Sequence, residues 1–271
     1  MAKALPKASQ AAALDVLLTA IKQSKAGGEE CNVAPHILAP VRAALGWTGA
    51  DPPEEALELA ATAYMQFAQA VTMMKAYGME GTDNYKAAAG HATTKRKALC
   101  DAAQSAKLAA GAPKAAMASP AVVALGFFGD AAMLNALKGC FDLNSGMKEG
   151  DSMVNMMGVS TTKGTTALHI ASERALKLWA DVADATKGHA SKFPEPFKAR
   201  DKDQATEYNE SKAKIASTTA DAKKAVDFVK LLIGTAGVDR DAKDGDDKTA
   251  WDKIKGSDKA GAVAALIVGL A

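Results

Sequence analysis

Two apolar stripes on either side of a proline pair constrain this chain more than any other feature. Leu168, Ala171, Ala175, Leu178 and Val182 recur at alternating steps of three and four, which sets them along one side of an α-helix. Tyr208, Ile215, Ala222, Val226 and Val229 form a second stripe of the same kind. Between the stripes stand Pro194 and Pro196, neither of which can continue a helix. The pattern predicts one long antiparallel helical hairpin, with Trp179 in its seam and Phe193 to Phe197 near its tip. A chain built around such a hairpin is helical where the hairpin meets its core.

Composition agrees. About a fifth of the residues are alanine, the best helix former, while aromatics make up only 5%. A β-rich fold needs more β-branched and aromatic residues than this. At 271 residues with 48% hydrophobic and 24% charged residues, the chain can bury one large or two modest cores. Lys and Arg number 33 against 31 Asp and Glu, so a basic face for nucleic acid is not expected. The densest basic cluster, Lys95-Arg96-Lys97, reads as a solvated helix face.

Cys31, Cys100 and Cys140 are widely spaced and odd in number. They predict neither a zinc site nor a disulfide framework, and fit reduced thiols in the cytoplasm or another intracellular compartment. The longest apolar run, Ala262 to Ala271, is too short to span a bilayer. The first 28 residues hold four lysines and one acidic residue, which leaves organelle import open, although an amphipathic first helix explains them better, since the stretch has no arginine and few serines.

To about residue 112 the sequence reads as helices with clear punctuation. The first is expected from Ser9 to Lys25, ending at Gly27-Gly28, and a shorter one follows Asn32, interrupted by Pro40. In the third, Asp51 caps, Pro52 fits the first turn, and Leu57, Ala60, Tyr64, Phe67, Val71 and Met74 form the apolar stripe before Gly78. A fourth is expected from Asn84 to Ala110, with a boundary at Gly111-Ala112-Pro113.

The octet Gly164-Thr165-Thr166-Ala167-Leu168-His169-Ile170-Ala171 resembles the opening of an ankyrin repeat, Gly-x-Thr-Pro-Leu-His-x-Ala. Two further stretches are similar to the same family. Ser119-Pro120-Ala121-Val122 begins one, with Val122 at the histidine position, Gly129-Asp130 between two helices and Asp142-Leu143-Asn144 in the following turn. Asp241 to Asp252 forms the other, with Asp247 where the family carries glycine and Trp251 where it carries leucine, so this turn is expected to distort. The second helix of the best copy arrives some fifty residues late, at Ala225 to Leu232. The resemblance therefore implies an all-α fold: an N-terminal helical bundle over residues 1–112, then an ankyrin-like repeat stack over 113–271. The hairpin is an insertion at about 173–223.

Catalytic signatures are missing from the sequence. His169 reads as a structural residue of the repeat, tying turn to helix start, and His36, His91 and His189 stand alone. The acidic loop from Asp239 to Asp247 fails the EF-hand frame, with Lys243 and Ala250 at ligand positions. Neither a nucleophile elbow nor a phosphate-binding glycine loop is present. Adjacent carboxylates Glu29-Glu30 and Glu54-Glu55 point apart on a helix. Met147, Met153, Met156 and Met157 read as gap-filling core residues before an adaptable contact surface.

The resemblance implies a non-catalytic scaffold or adaptor that binds other proteins within a larger complex, with no cofactor and no metal. Its contacts are expected at the turns, Ser160, Thr161, Lys163, Lys243, Asp244 and Asp246, and on the hairpin at Trp179, Phe193 and Phe197. The alternative is a small-ligand binder or enzyme whose site lies between the bundle and the stack. That reading requires polar groups converging from both parts, near Tyr64, His91 or Trp47.

Overall fold

The structure, a computed structural model, describes residues 53–105, 114–139, 141–148, 159 and 161–255. The helices expected over Ser9–Lys25, after Asn32 and over Gly261–Leu270 lie outside the described residues. What is described is mostly helical.

Helix α1 (Pro53–Ala76) and helix α2 (Asp83–Ser105) pack against each other along their lengths. Leu57, Ala61, Tyr64, Met65 and Ala68 of α1 are buried with Leu99 and Ala103 of α2. Gly78 stops α1 by turning at φ +70°, a conformation that glycine adopts without a Cβ clash. Strand β1 (Ala115–Ala116) then leads into α3 (Ser119–Phe128), with Pro120 in its first turn. Every residue from Ser119 to Phe127 is buried, so α3 is the central helix, set between α1 and α5 (Ala167–Lys192).

Gly126 permits that placement: a Cβ there would lie 2.7 Å from Ile170 Cβ and 2.8 Å from the Ala167 carbonyl oxygen. Helix α4 (Ala131–Leu137) follows at once, capped by Asp130, whose carboxylate accepts from the Met133 N–H at 3.0 Å. Strand β2 (Phe141–Asp142) pairs in parallel with β1, Ala115 with Phe141 and Ala116 with Asp142. The sequence offered no sign of this pair, because two residues carry no alternating pattern.

Helices α5 and α6 (Lys202–Ile233) are the expected hairpin. They run antiparallel, as Lys192 Nζ lies 2.9 Å from Glu207 Oε2 and His189 Nδ1 lies 2.9 Å from Ser211 Oγ. Both are unbroken where the insertion was expected to begin and end. Their inner halves belong to the core: Leu168, Ile170, Ala171 and Ala175 on α5, and Ala222, Val226, Val229 and Leu232 on α6. Further out, from residue 176 to residue 221, Phe193 is the one buried residue. Helix α7 (Ala250–Lys255) closes over α5 with Ala250 and Ile254. Among the described residues no helix is long and apolar enough to cross a membrane.

Candidate functional site

Three turns lie side by side at one edge of the fold, and backbone hydrogen bonds hold them together. Met147 donates its N–H to the Thr165 carbonyl at 3.0 Å, and Gly164 returns an N–H to the Met147 carbonyl at 2.9 Å. On the other side Gly245 donates to the Lys163 carbonyl at 2.5 Å. Gly146 sits so close to Gly164 that an added Cβ would fall 2.5 Å from the Gly164 Cα.

Each of the last two turns opens a helix by the same device. Gly164 turns at φ +79° and Asp247 at φ +59°. Two residues later a threonine begins the helix and reaches the side chain three residues on. The Thr166 N–H and hydroxyl donate to His169 Nδ1 at 3.3 and 2.8 Å. The Thr249 N–H and hydroxyl donate to Asp252 Oδ2 at 3.0 and 2.9 Å. Asp247 keeps the left-handed φ that Gly164 has, which aspartate tolerates better than most residues.

His169 also joins its own turn to the next. Its Nδ1 accepts from Thr166, so Nε2 carries the hydrogen and donates to the Lys248 carbonyl at 2.9 Å. Burial pushes its pKa below the ordinary value. Beneath the same turn Lys253 lies 2.7 Å from Asp244 and 3.3 Å from Glu173, tying α7 to the turn and to α5. Burial opposes the Asp244 charge, but the Lys253 ammonium and the Lys248 and Asp246 amides hold its carboxyl below the usual range.

At the far end of the hairpin a second cluster builds the tip. Phe197 stacks on Tyr208 at 4.6 Å, and Phe193 meets both rings edge-on at 5.0 and 5.4 Å. His189 adds a fourth ring, 5.2 Å from Phe193 and 5.0 Å from Tyr208. Glu195 accepts from the Phe197 N–H at 3.1 Å and the Tyr208 hydroxyl at 3.2 Å, and these bonds lower its pKa. The Glu195–Pro196 bond is cis. Lys212 caps the outer face of Tyr208, its Nζ 4.4 Å from the ring centre.

The residues expected at a contact surface fall into different places. Lys163, Lys243 and Asp246 are exposed along the turn row, Thr161 is half-buried there, and Ser160 lies outside the described residues. Asp244 is enclosed, 7% exposed, because its carboxylate serves the ion pair with Lys253. Phe193 is likewise internal, at 2% exposure, and organises the tip rather than presenting itself. Phe197 and Trp179 are half-buried; Trp179 marks where the hairpin leaves the core, and its indole N–H is buried with no hydrogen-bond partner among the described residues. Met147 is buried as a core residue, and the other three methionines of its cluster lie outside the described residues. Sequence reasoning missed Tyr208, Glu195 and Lys212 as partners of the tip, although Tyr208 stood in the returning stripe.

Among the described residues no group of three or more His, Cys, Asp or Glu side chains is placed to hold a metal. No family model, curated protein or solved structure matches the chain.

Proposed function

We propose that this protein is a non-catalytic scaffold that binds other proteins, built on a short ankyrin-like stack from which a helical hairpin projects. The outer hairpin is the observation that carries this reading. Seventeen residues of α5 extend past Ala175, about 25 Å at the rise of an α-helix. Ordering that segment and its return costs conformational entropy, yet from 176 to 221 only Phe193 is buried. It does little for the core, so its use lies outside the core. The self-contained aromatic tip supports the same reading, since it keeps the projection ordered without a covering domain.

The turn row supports the repeat reading. The Gly164 and Asp247 turns share a left-handed residue and a capping device two residues later, and both helices they open pack on the same core. The exposed Lys163, Lys243 and Asp246 make this edge a second contact surface.

The test is affinity purification from the native source of the whole chain and of a variant in which residues 177–219 are replaced by a short flexible linker. The join leaves Glu173 and Asp221 in place. The variant is expected to lose partners that the whole chain retains. If it and a variant carrying Lys163→Glu and Lys243→Glu each keep every partner, the reading fails.

A further inference from the structure

The segment from Phe193 to Asp201 joins α5 to α6, and hydrogen bonds fix its backbone. The Phe197 N–H donates to Glu195 at 3.1 Å, and the Arg200 N–H donates to Gln204 Oε1 at 2.8 Å. Asp201 caps α6 by accepting from the Gln204 N–H at 2.8 Å. The rings of Phe193 and Phe197 hold the segment against Tyr208 of α6. The loop is therefore a fixed platform, and what it displays is set by its remaining side chains.

Those include Lys198 and Arg200, followed by Lys202 at the start of α6, three exposed cations at alternate positions. None of the three side chains makes an ion pair among the described residues. The neighbouring acids are otherwise engaged. Glu195 accepts from the Phe197 N–H and the Tyr208 hydroxyl, Asp201 is the cap, and Glu207 pairs with Lys192 at 2.9 Å. These carboxylates keep their charge, but their oxygens serve donors of the tip itself. Other exposed lysines have an acid within a turn, as Lys97 has Asp101, Lys243 has Asp247 and Lys255 has Asp252. The tip instead gathers unpaired cations in one short stretch.

We infer that the hairpin tip docks a short acidic segment of another protein, with Lys198, Arg200 and Lys202 as its contacts. The inference rests on the scaffold reading and names the chemistry of the partner that the hairpin takes. Arg200 offers a planar fork that fits a carboxylate through two parallel bonds, and the lysines on either side meet carboxylates as point charges. A loop fixed before binding spares the complex the cost of ordering it. Reach selects a short segment over a long polyanion. Further down the hairpin Asp181, Asp184, Asp203, Glu207 and Glu210 are exposed, so a nucleic-acid duplex or an anionic bilayer spreading past the tip finds no continuous basic track. The net charge of +2 adds no wide field to draw one in.

The probe is an end-blocked fluorescent peptide with a run of four glutamates, titrated into the whole chain by anisotropy at low ionic strength. The same peptide with glutamines, a short DNA duplex, and phosphatidylcholine vesicles containing phosphatidylserine are titrated in parallel. The acidic peptide is expected to bind, to weaken as salt is raised, and to exceed the other three by about ten-fold or more. Changing Lys198, Arg200 and Lys202 together to Glu should weaken it by about ten-fold or more, since three contacts become repulsive at once. Arg200→Lys alone should cost a few-fold through loss of the fork. Reversing Lys114, Lys138 and Lys223 instead makes the same change in net charge and should leave the affinity within about two-fold. If the reversed tip does not fold, glutamine at the same three positions is expected to weaken the peptide several-fold.

The inference is overturned if the acidic peptide does not bind, or if the glutamine peptide, the duplex or the vesicles bind as tightly. It is also overturned if reversing the tip leaves the affinity unchanged, or if the control reversal weakens it equally. Its failure is distinguishable from failure of the scaffold reading. In purification from the native source, partners lost on replacing residues 177–219 but kept by the reversed tip leave the scaffold standing and overturn the acidic contact. Loss of the same partners from both variants supports it.

Discussion

The turns that open α5 and α7 share a left-handed residue and a threonine cap, and differ in chemistry. Gly164 and Asp247 both stand in the left-handed region, and Thr166 and Thr249 both cap through the side chain three residues on. That side chain is a buried imidazole in one turn and a half-buried carboxylate in the other. The imidazole has a second nitrogen, which it uses to bond Lys248 of the neighbouring turn. Asp252 instead spends its other oxygen on Lys255 within its own helix. Two turns with the same capping device therefore tie themselves into the fold to different depths. His169 joins two turns, whereas among the described residues Asp252 bonds only its own cap Thr249 and Lys255 of its own helix.

The largest expected effect tests that difference directly. His169→Ala removes three hydrogen bonds from a residue 1% exposed and leaves the Lys248 carbonyl without its donor. A loss of about 2–3 kcal/mol of stability is expected in urea unfolding. Asp252→Ala should cost clearly less under the same conditions. Equal losses would mean that the bond between turns contributes nothing and that the two caps are interchangeable.

A smaller pair of changes addresses the left-handed residues. Gly164→Ala places a Cβ at φ +79° and 3.3 Å from the Asp244 Cα, so a loss of about 1–2 kcal/mol is expected. Asp247→Gly relieves the same strain and should gain up to about 1 kcal/mol, reduced by the freedom glycine adds to the unfolded chain. It also removes the exposed pair of Asp247 with Lys243 at 3.0 Å, which is worth little. Denaturant midpoints of opposite sign for the two variants would sharpen the comparison. A stability loss from Asp247→Gly would show that the aspartate earns its place by something other than tolerance.

How far the sequence revealed this depends on the range of each signal. The hairpin was legible because its two stripes repeat over many turns, and His169 because its neighbours on both sides belong to one pattern. The retained turn at Asp247 was not legible. A rule that asks for glycine cannot register that aspartate reaches the same φ. The enclosure of Phe193 and Asp244 was hidden for another reason: each is covered by a residue of a different element, Tyr208 of α6 for one and Lys253 of α7 for the other. Arg174 was the least visible of all. On its own helix it reads as an ordinary polar position just outside the repeat pattern, and only the Phe127 ring, brought by α3, shows where its guanidinium lies.

The last test separates the two turns by acidity. Neutral His169 accepts at Nδ1, and protonation there would turn that acceptor into a donor facing the Thr166 hydroxyl. Burial and the nearby Lys253 hold its folded pKa below the ordinary 6.5, against the Lys248 carbonyl and Asp244, which favour the charge. The unfolded chain thus takes up the proton first, and this contribution to stability is complete above pH 6.5 and declines as the pH falls toward the folded value. Asp244 and Asp252 behave in the opposite range. Their folded pKa values lie below the ordinary 3.8, so their contributions are complete above that value and lost only beneath it. Between pH 6.5 and pH 4 the α5 turn should weaken while the α7 turn keeps its cap. Amide exchange at pH 7.5 and pH 4.5, corrected for intrinsic rates, should show protection falling at Ile170 relative to Lys253. His169→Gln should abolish that relative change, because its amide does not titrate. If both amides lose protection in parallel, the turns open as one unit and the difference in their chemistry has no thermodynamic consequence.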